Sequence, residues 1–567
     1  MPIFSYGGDS LFHVFVVKNI IDMGWFSSND LVGLPHISGK FFLHDFPIHA
    51  SLFSLFVIKV IANFSSNAFF VTNIFIIFTF CLVATTSFIA LRSFKIGLLS
   101  AMLVSVLYAF MPYHLFKNVS HLFLSNYSVI PFVVMVAIWI MNDVIQFVST
   151  NAKGAFCLRP NKHFYAALAV AVFVSMNGIY YAFYSCIIFI FAWFLSSLRT
   201  NQFFDKNCFL VVILCLAILS SLCFIFLEPL FYWMQNGVNS MVGARSPQDS
   251  ETYALKFYKL FLPVTNHYVE YLRNMRAAFD QFSTEYESRS AALGLLSSIG
   301  LVFLLIWILA KNQTNQESSI FNKMITWLSL HKKDQNMITN LANLSLLSIL
   351  FSMVGGLVMF VAVLFPLLRS HARFSVFIGF FVMVFIAMIF DKIVQKKIFN
   401  RQFIAPALVI LITVMSLFDQ IGKISAQTIQ SDMLKSQFQI DQAFIQEVEE
   451  KNPNADIFIL PVFGFPEAAG DSYQSLLGYL HSKDLRWSYP VAMGRESHLW
   501  QEKVVQLDFA NFIKELKRNG FSAIMIDRQQ YILGKGVDLN KMEFNLQNIT
   551  KNPAIISQDK KFVLYRI

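Results

Sequence analysis

Long apolar stretches alternate with short polar ones along most of this chain, and their length decides the fold class. A helix that crosses a bilayer must span about 30 Å of hydrocarbon, which takes about 20 apolar residues. Ten stretches approach or reach that length: 67–91, 96–112, 127–141, 164–176, 180–195, 209–230, 292–310, 341–364, 374–390 and 403–417. The pair 164–176 and 180–195 is short for two crossings and also fits a re-entrant hairpin, which leaves the sidedness of everything else unchanged. On either side of this block the pattern changes. Residues 10–23 and 49–64 show helical recurrence of apolar positions but carry Lys18, Asp22 and Lys59, and the stretch 24–47 between them is rich in turn formers. That pattern predicts two interfacial amphipathic helices joined by a structured loop. After Asp419 a charged helix is predicted over 430–451. Short apolar strands follow at 456–462, 521–526 and 562–567, with an amphipathic helix at 509–519 ended by Gly520. Helices alternating with short strands imply a small α/β domain. The expected architecture is a polytopic α-helical membrane protein of about ten spans with a C-terminal α/β domain. Its parts are a first loop (1–66), a membrane domain (67–418) and the α/β domain (419–567).

Composition agrees with this reading and excludes a large soluble enzyme. Hydrophobic residues make up 56% of the chain, charged residues only 14%, and Phe alone fills 63 positions. The net charge of +10 comes from short basic loops. Arg92 and Lys95, then Lys153, Arg159 and Lys162, then Arg199 and Lys206, then Lys311, Lys323, Lys332 and Lys333, and last Lys392, Lys396, Lys397 and Arg401 occupy alternate loops. Placing all of them in the cytoplasm is self-consistent. It puts the N-terminal segment, the long loop 231–291 and the C-terminal domain on the non-cytoplasmic side, with no role for nucleic acid. The six Cys lie in spans or inner loops, without metal-ligand spacing.

Ionisable groups at the rim of a membrane are costly to keep, so each is a candidate for function. The outer side collects Asp9, Asp45, His114, His121, Glu228, Arg245, Glu251, His267, Glu285, Glu287, and the cluster Arg369, His371 and Arg373. A carboxylate there can act as general base on a hydroxyl, and the planar fork of Arg suits a lipid phosphate. Asp9 and Asp45 are the candidate catalytic carboxylates. Arg369, His371, Arg373 and Arg245 are candidates for a phosphate-bearing donor, with His121, His267, Glu228 and Glu251 as further site residues. Trp487, Tyr489, Trp500 and Arg495 could stack on sugar rings or belong to the domain core. No Walker loop, GxSxG, HExxH or dinucleotide fingerprint competes.

The order of these features resembles the GT-C class of polytopic glycosyltransferases, in particular bacterial members with an outward C-terminal domain. Gly8-Asp9-Ser10, Lys18, Gly24-Trp25, Asn29, Gly33-x-Pro35 and Asp45-Phe46-Pro47 are similar to that class's first outer loop. Asn177-Gly178-Ile179-Tyr180-Tyr181, Arg245-Ser246-Pro247, Leu262-Pro263, His267, Gly355-Gly356, Arg369 and Arg373 continue the likeness. So do Leu485-Arg486-Trp487-Ser488-Tyr489, Gly494-Arg495 and Gly520-Phe521. The resemblance implies an inverting transfer of sugar from a polyprenyl-phosphate donor to an envelope glycan or lipid acceptor, with Asp9 as base and Arg369 or Arg373 on the lipid phosphate. It also implies a bacterial inner-membrane location. No metal ligands are assigned, and a divalent cation is the one cofactor left open. Members of the class carry a span ahead of this Asp, so residue 1 is not expected to be the natural beginning. A lipid-linked sugar translocase and a non-catalytic envelope-assembly protein on the same scaffold are the rival readings.

Overall fold

The computed structural model describes residues 5–34, 39–46, 48–150, 156–243, 245–282, 287–310, 320–366, 368–396, 402–423, 425–466, 472–533, 538–549 and 553–567. Each apolar stretch forms helix. Seven helices among the described residues are long and apolar enough to cross a bilayer: Ala68–Ser93, Leu98–Lys117, Val119–Met141, Ile179–Thr200, Lys206–Ile225, His371–Val394 and Ile404–Ile421. The chain is therefore an integral membrane protein. Burial sorts the helices: His371–Val394 is buried over 89% of its most apolar stretch and forms the centre of the bundle, whereas Lys206–Ile225 is buried over 22% and presents its apolar faces outward. Large side chains such as Phe209, Leu216 and Phe224 remain exposed there, as lipid contact requires.

Three details depart from the expected spans. Ile179–Thr200 has 22 residues and is long enough for a full crossing. Its predecessor Lys162–Ser175 has 14 residues, a rise of about 21 Å. The expected span 341–364 is instead the helix Lys332–Ser352 followed, after a break, by Val358–Leu364. Gly356 explains the break: a Cβ there would sit 2.6 Å from the carbonyl oxygens of Leu350 and Met353. The broken backbone is used, since Leu255 N–H donates to Ser352 O at 2.8 Å and Leu255 O accepts from Val354 N–H at 3.1 Å. Finally, the stretch 209–230 ends at Ile225, and a separate helix α2 (Leu227–Asn236) follows.

The first helix, α1 (Asp9–Asp22), is not the amphipathic surface helix expected. It is buried from Ser10 to Ile20 on nearly every face, as an all-round apolar helix must be. Its charges are absorbed locally. Lys18 pairs with Asp22 at 2.8 Å and lies 4.9 Å over the ring of Tyr479, whose hydroxyl donates to Asp22. The second expected helix, Leu52–Ala62, does keep one buried face (Ser54, Leu55, Ile58) and exposes Phe56 and Val60.

The C-terminal domain begins with α3 (Ser425–Lys451) and carries a mixed sheet of β1 (Asp456–Leu460), β2 (Arg486–Trp487), β3 (Ala523–Asp527), β4 (Ile555–Ile556) and β5 (Phe562–Arg566). The order is β2-β1-β3-β5-β4, with β2, β1 and β3 parallel and β5 antiparallel to both its neighbours. The first loop completes its edge: Trp487 N–H donates to Leu31 O and Gly33 N–H to Trp487 O, at 2.8 and 2.9 Å. Gly33, at φ +81°, is required here because a Cβ would lie 2.8 Å from Phe41 and 2.9 Å from Pro490 O. Phe12, Phe15, Phe41, Phe465, Tyr479 and Trp487 accordingly share one core across the first loop and the domain. Trp487 and Tyr489 are core residues, not sugar platforms: both are buried, and the indole packs on Gly478.

Candidate functional site

The residues singled out in the sequence fall into separate groups, and the first gathers where α1 begins. Asp9 lies in the first turn of α1, where free backbone N–H groups favour a carboxylate. Its side chain is 52% exposed. Behind it the ring of His13 donates from Nδ1 to Asp9 O at 2.7 Å. Burial keeps that imidazole below its usual pKa, against the pull of this hydrogen bond. Asp9 Oδ2 is 3.9 Å from His121 Nε2, and the same nitrogen is 3.9 Å from Oε2 of Glu287. Such separations suit charge contact or a bridging water.

Glu287 is the hub. Its Oε1 meets Lys117 Nζ at 2.7 Å and Arg373 Nε at 2.8 Å. The Arg373 guanidinium also lies 4.2 Å over the Tyr180 ring. Burial would raise the Glu287 carboxyl, but Arg373, Lys117 and His121 outweigh it and hold the group well below the usual carboxylate range. Asp9, His121 and Arg373 are thus brought together, with Glu287 between them. Lys117, fully buried at the end of its span, was missed. The available signal was a lysine at the outer end of a span, the same signal that singled out Arg369 and Arg373.

Arg369 belongs to a second group. It is 3.8 Å from Asp249, lies 5.0 Å over the Tyr253 ring, and is 29% exposed. Glu251 accepts Gly355 N–H at 3.3 Å in the same region. Arg245 lies half-buried just ahead of the helix Pro247–Thr252 that carries Asp249. His371 turns inward instead, buried with Nδ1 3.4 Å from the Tyr184 hydroxyl. His114 is fully buried, donating from Nδ1 to Ala109 O at 2.9 Å, and stacks on Phe80. Glu285 lies outside the described residues.

Asp45 is not placed with Asp9. Both its oxygens are held by Arg495, at 2.6 and 2.8 Å, and Asn239 donates to Oδ2 at 3.1 Å. This partly buried fork joins the first loop to the C-terminal domain and to the loop after α2. Arg495→Ala is expected to cost about 2 kcal/mol, the scale of charge-assisted hydrogen bonds. A lower melting temperature in detergent would show it. Arg495→Lys should restore only part, because an ammonium cannot span both oxygens. His267 is likewise structural. Its Nδ1 accepts Val269 N–H at 3.0 Å, so Nε2 carries the proton toward Asp419 at 3.1 Å. Asp419 in turn accepts Leu295 N–H at the start of Leu295–Ala310.

A fifth group was not foreseen. His44, His49 and Glu228 each offer a ligand atom, and these atoms lie within 4.8 Å of one another. Burial lowers the pKa of both imidazoles, with Glu228 opposing at His44 and His44 reinforcing at His49. His44 and His49 flank Asp45 in the sequence, but Glu228 comes from a distant helix, so no spacing rule could join the three.

No protein-family model matches the sequence, and none of the curated proteins does. Among solved structures, the chain is similar to ArnT from Cupriavidus metallidurans bound to undecaprenyl phosphate. That likeness has 8% identity over 100% of this chain and 94% of that one, with a TM-score of 0.45. It is also similar to the oligosaccharyltransferase of Archaeoglobus fulgidus in the apo form, with 10% identity over 93% and 67% of the two chains and a TM-score of 0.41. AglB from Archaeoglobus fulgidus, in complex with an inhibitory peptide and a dolichol-phosphate, shows 9% identity over 93% and 66% of the chains and a TM-score of 0.35.

Proposed function

We propose that this protein is a membrane glycosyltransferase that moves a sugar from a polyprenyl-phosphate-linked donor to a cell-envelope glycan or lipid acceptor. In this reading the transfer takes place on the non-cytoplasmic face of a bacterial inner membrane. The observation that carries the reading is an exposed carboxylate, Asp9, set through His121 and Glu287 beside two buried cations at one end of the bundle. An acceptor hydroxyl gives its proton to Asp9 as its oxygen attacks the anomeric carbon. The bond from that carbon to the donor phosphate oxygen breaks with inversion. The departing polyprenyl phosphate gains negative charge, which the field of Lys117 and Arg373 stabilises. Arg369, four residues ahead of Arg373 and more exposed, is the cation that meets the phosphate itself.

The test is transfer by the full chain in nanodiscs, supplied with labelled polyprenyl-phosphate sugars and an envelope extract. Release of polyprenyl phosphate with labelled acceptor is expected. No release, with the same lipid still raising the melting temperature, would overturn the enzyme reading in favour of an assembly scaffold. Labelled lipid recovered intact in the opposite leaflet would overturn it in favour of a translocase.

A further inference from the structure

The unforeseen histidine pair offers more than its sequence suggested. Nδ1 of His44 and both ring nitrogens of His49 are buried and meet no hydrogen-bond partner among the described residues. Buried polar atoms are rarely left so, and when they are, an ion or ordered water is the first explanation to test. The rings are also held in place. Phe42 stacks on His44 at 5.4 Å and Tyr232 lies 4.9 Å away, while Phe26 and Phe226 flank His49 at 4.9 and 6.0 Å. Glu228 completes the set from the first turn of α2, with Oε1 3.7 Å from His44 Nε2 and accepting from Ser27 Oγ at 3.1 Å. Its carboxylate is 55% exposed, which leaves an entry path and an open fourth position.

We infer that His44, His49 and Glu228 bind a zinc-class divalent cation that ties the first outer loop to α2. Two imidazoles and one carboxylate are the donor set of a tetrahedral zinc site completed by water, whereas magnesium and calcium require an oxygen shell. The site is distinct from the Asp9 cluster. Its consequence is mechanical: Asp45, the residue after His44, grips Arg495 of the C-terminal domain, so an ion on His44 fixes the loop on which the domain is seated. Ser27 orients the carboxylate ligand from behind, as metal-bound carboxylates need.

The experiment uses the purified full chain in detergent. Elemental analysis is expected to find about one zinc per chain. Chelator-stripped protein should take up Co2+ with a visible ligand-field band and should melt several degrees higher on adding zinc. His49→Ala and Glu228→Gln should each weaken zinc binding by about tenfold or more and abolish the zinc-dependent rise in melting temperature. Chelation should also hasten proteolytic release of the C-terminal domain in the wild type but not in these variants. Zinc raising the melting temperature of the variants as much as that of the wild type would overturn the assignment. So would wild-type protein that retains no zinc and gives no Co2+ band. That last measurement needs no variant, so misfolding of a substituted chain does not protect the proposal. Metal content and melting are read without turnover, so a failure here is distinguishable from failure of the transferase reading.

Discussion

Asp9→Asn is expected to lower sugar transfer by about 10²- to 10⁴-fold, the range of a lost general base, with no fall in melting temperature. The substitution keeps the size and the helix-start preference of the residue, since Asn also suits the beginning of a helix. It removes only the oxygen that accepts a proton. The Asp9 side chain is half exposed and its carboxylate stands 3.9 Å from His121, so the change costs little stability. A base acts in the transition state and not in donor binding, so kcat should fall while KM for the donor stays near its wild-type value. Asp9→Glu moves the carboxylate by one methylene and should recover part of the rate; displacement of about 1 Å costs on the order of 10²-fold. Equal transfer by wild type and Asp9→Asn at equal protein levels would refute the assignment. Loss of transfer together with a lower melting temperature would make Asp9 a structural residue.

The elements were legible in the sequence where a single physical rule governed them. Apolar run length marked the helices, because the hydrocarbon thickness sets it, but about ten spans were expected and seven helices among the described residues are long and apolar enough to cross. The strands at 456–462, 521–526 and 562–567 were legible because short apolar runs bounded by turn residues have few other solutions. What failed was burial. Lys18 and Asp22 made α1 look amphipathic, since a sequence cannot show that Tyr479 of a distant domain will receive both. Asp45 and Trp487 looked like site residues for the same reason: a charge or an indole is ambiguous until its partner is known, and the partners Arg495 and Gly478 come from elsewhere in the fold. The group proposed to act around Asp9 was half legible. Asp9, His121 and Arg373 stood out as ionisable groups at the membrane rim, but their joining through Glu287 and Lys117 is tertiary and carries no local signal.

Glu287→Gln is expected to destabilise the protein by about 3–5 kcal/mol, the scale of breaking a buried ion pair from one side. The change leaves the Lys117 ammonium, with no exposed surface, and the nearly buried Arg373 guanidinium facing a neutral amide. The sign of the accompanying pH effect follows from the depressed carboxyl. A group whose folded-state pKa lies below its unfolded value of about 4.3 contributes stability that is fully present above that value and is lost as pH falls through the folded-state pKa. The gap in melting temperature between wild type and Glu287→Gln should therefore be widest near neutral pH and narrow in acid. Adding Lys117→Met to Glu287→Gln should restore part of the loss, because it removes one of the two cations that the carboxylate neutralises, and the coupling should exceed about 1 kcal/mol. Equal melting temperatures for Glu287→Gln and wild type at neutral pH would refute the hub assignment. The pair of variants also separates support from chemistry. Glu287 reaches Asp9 through His121, so Glu287→Gln should lose stability first and rate in proportion, whereas Asp9→Asn should lose rate alone.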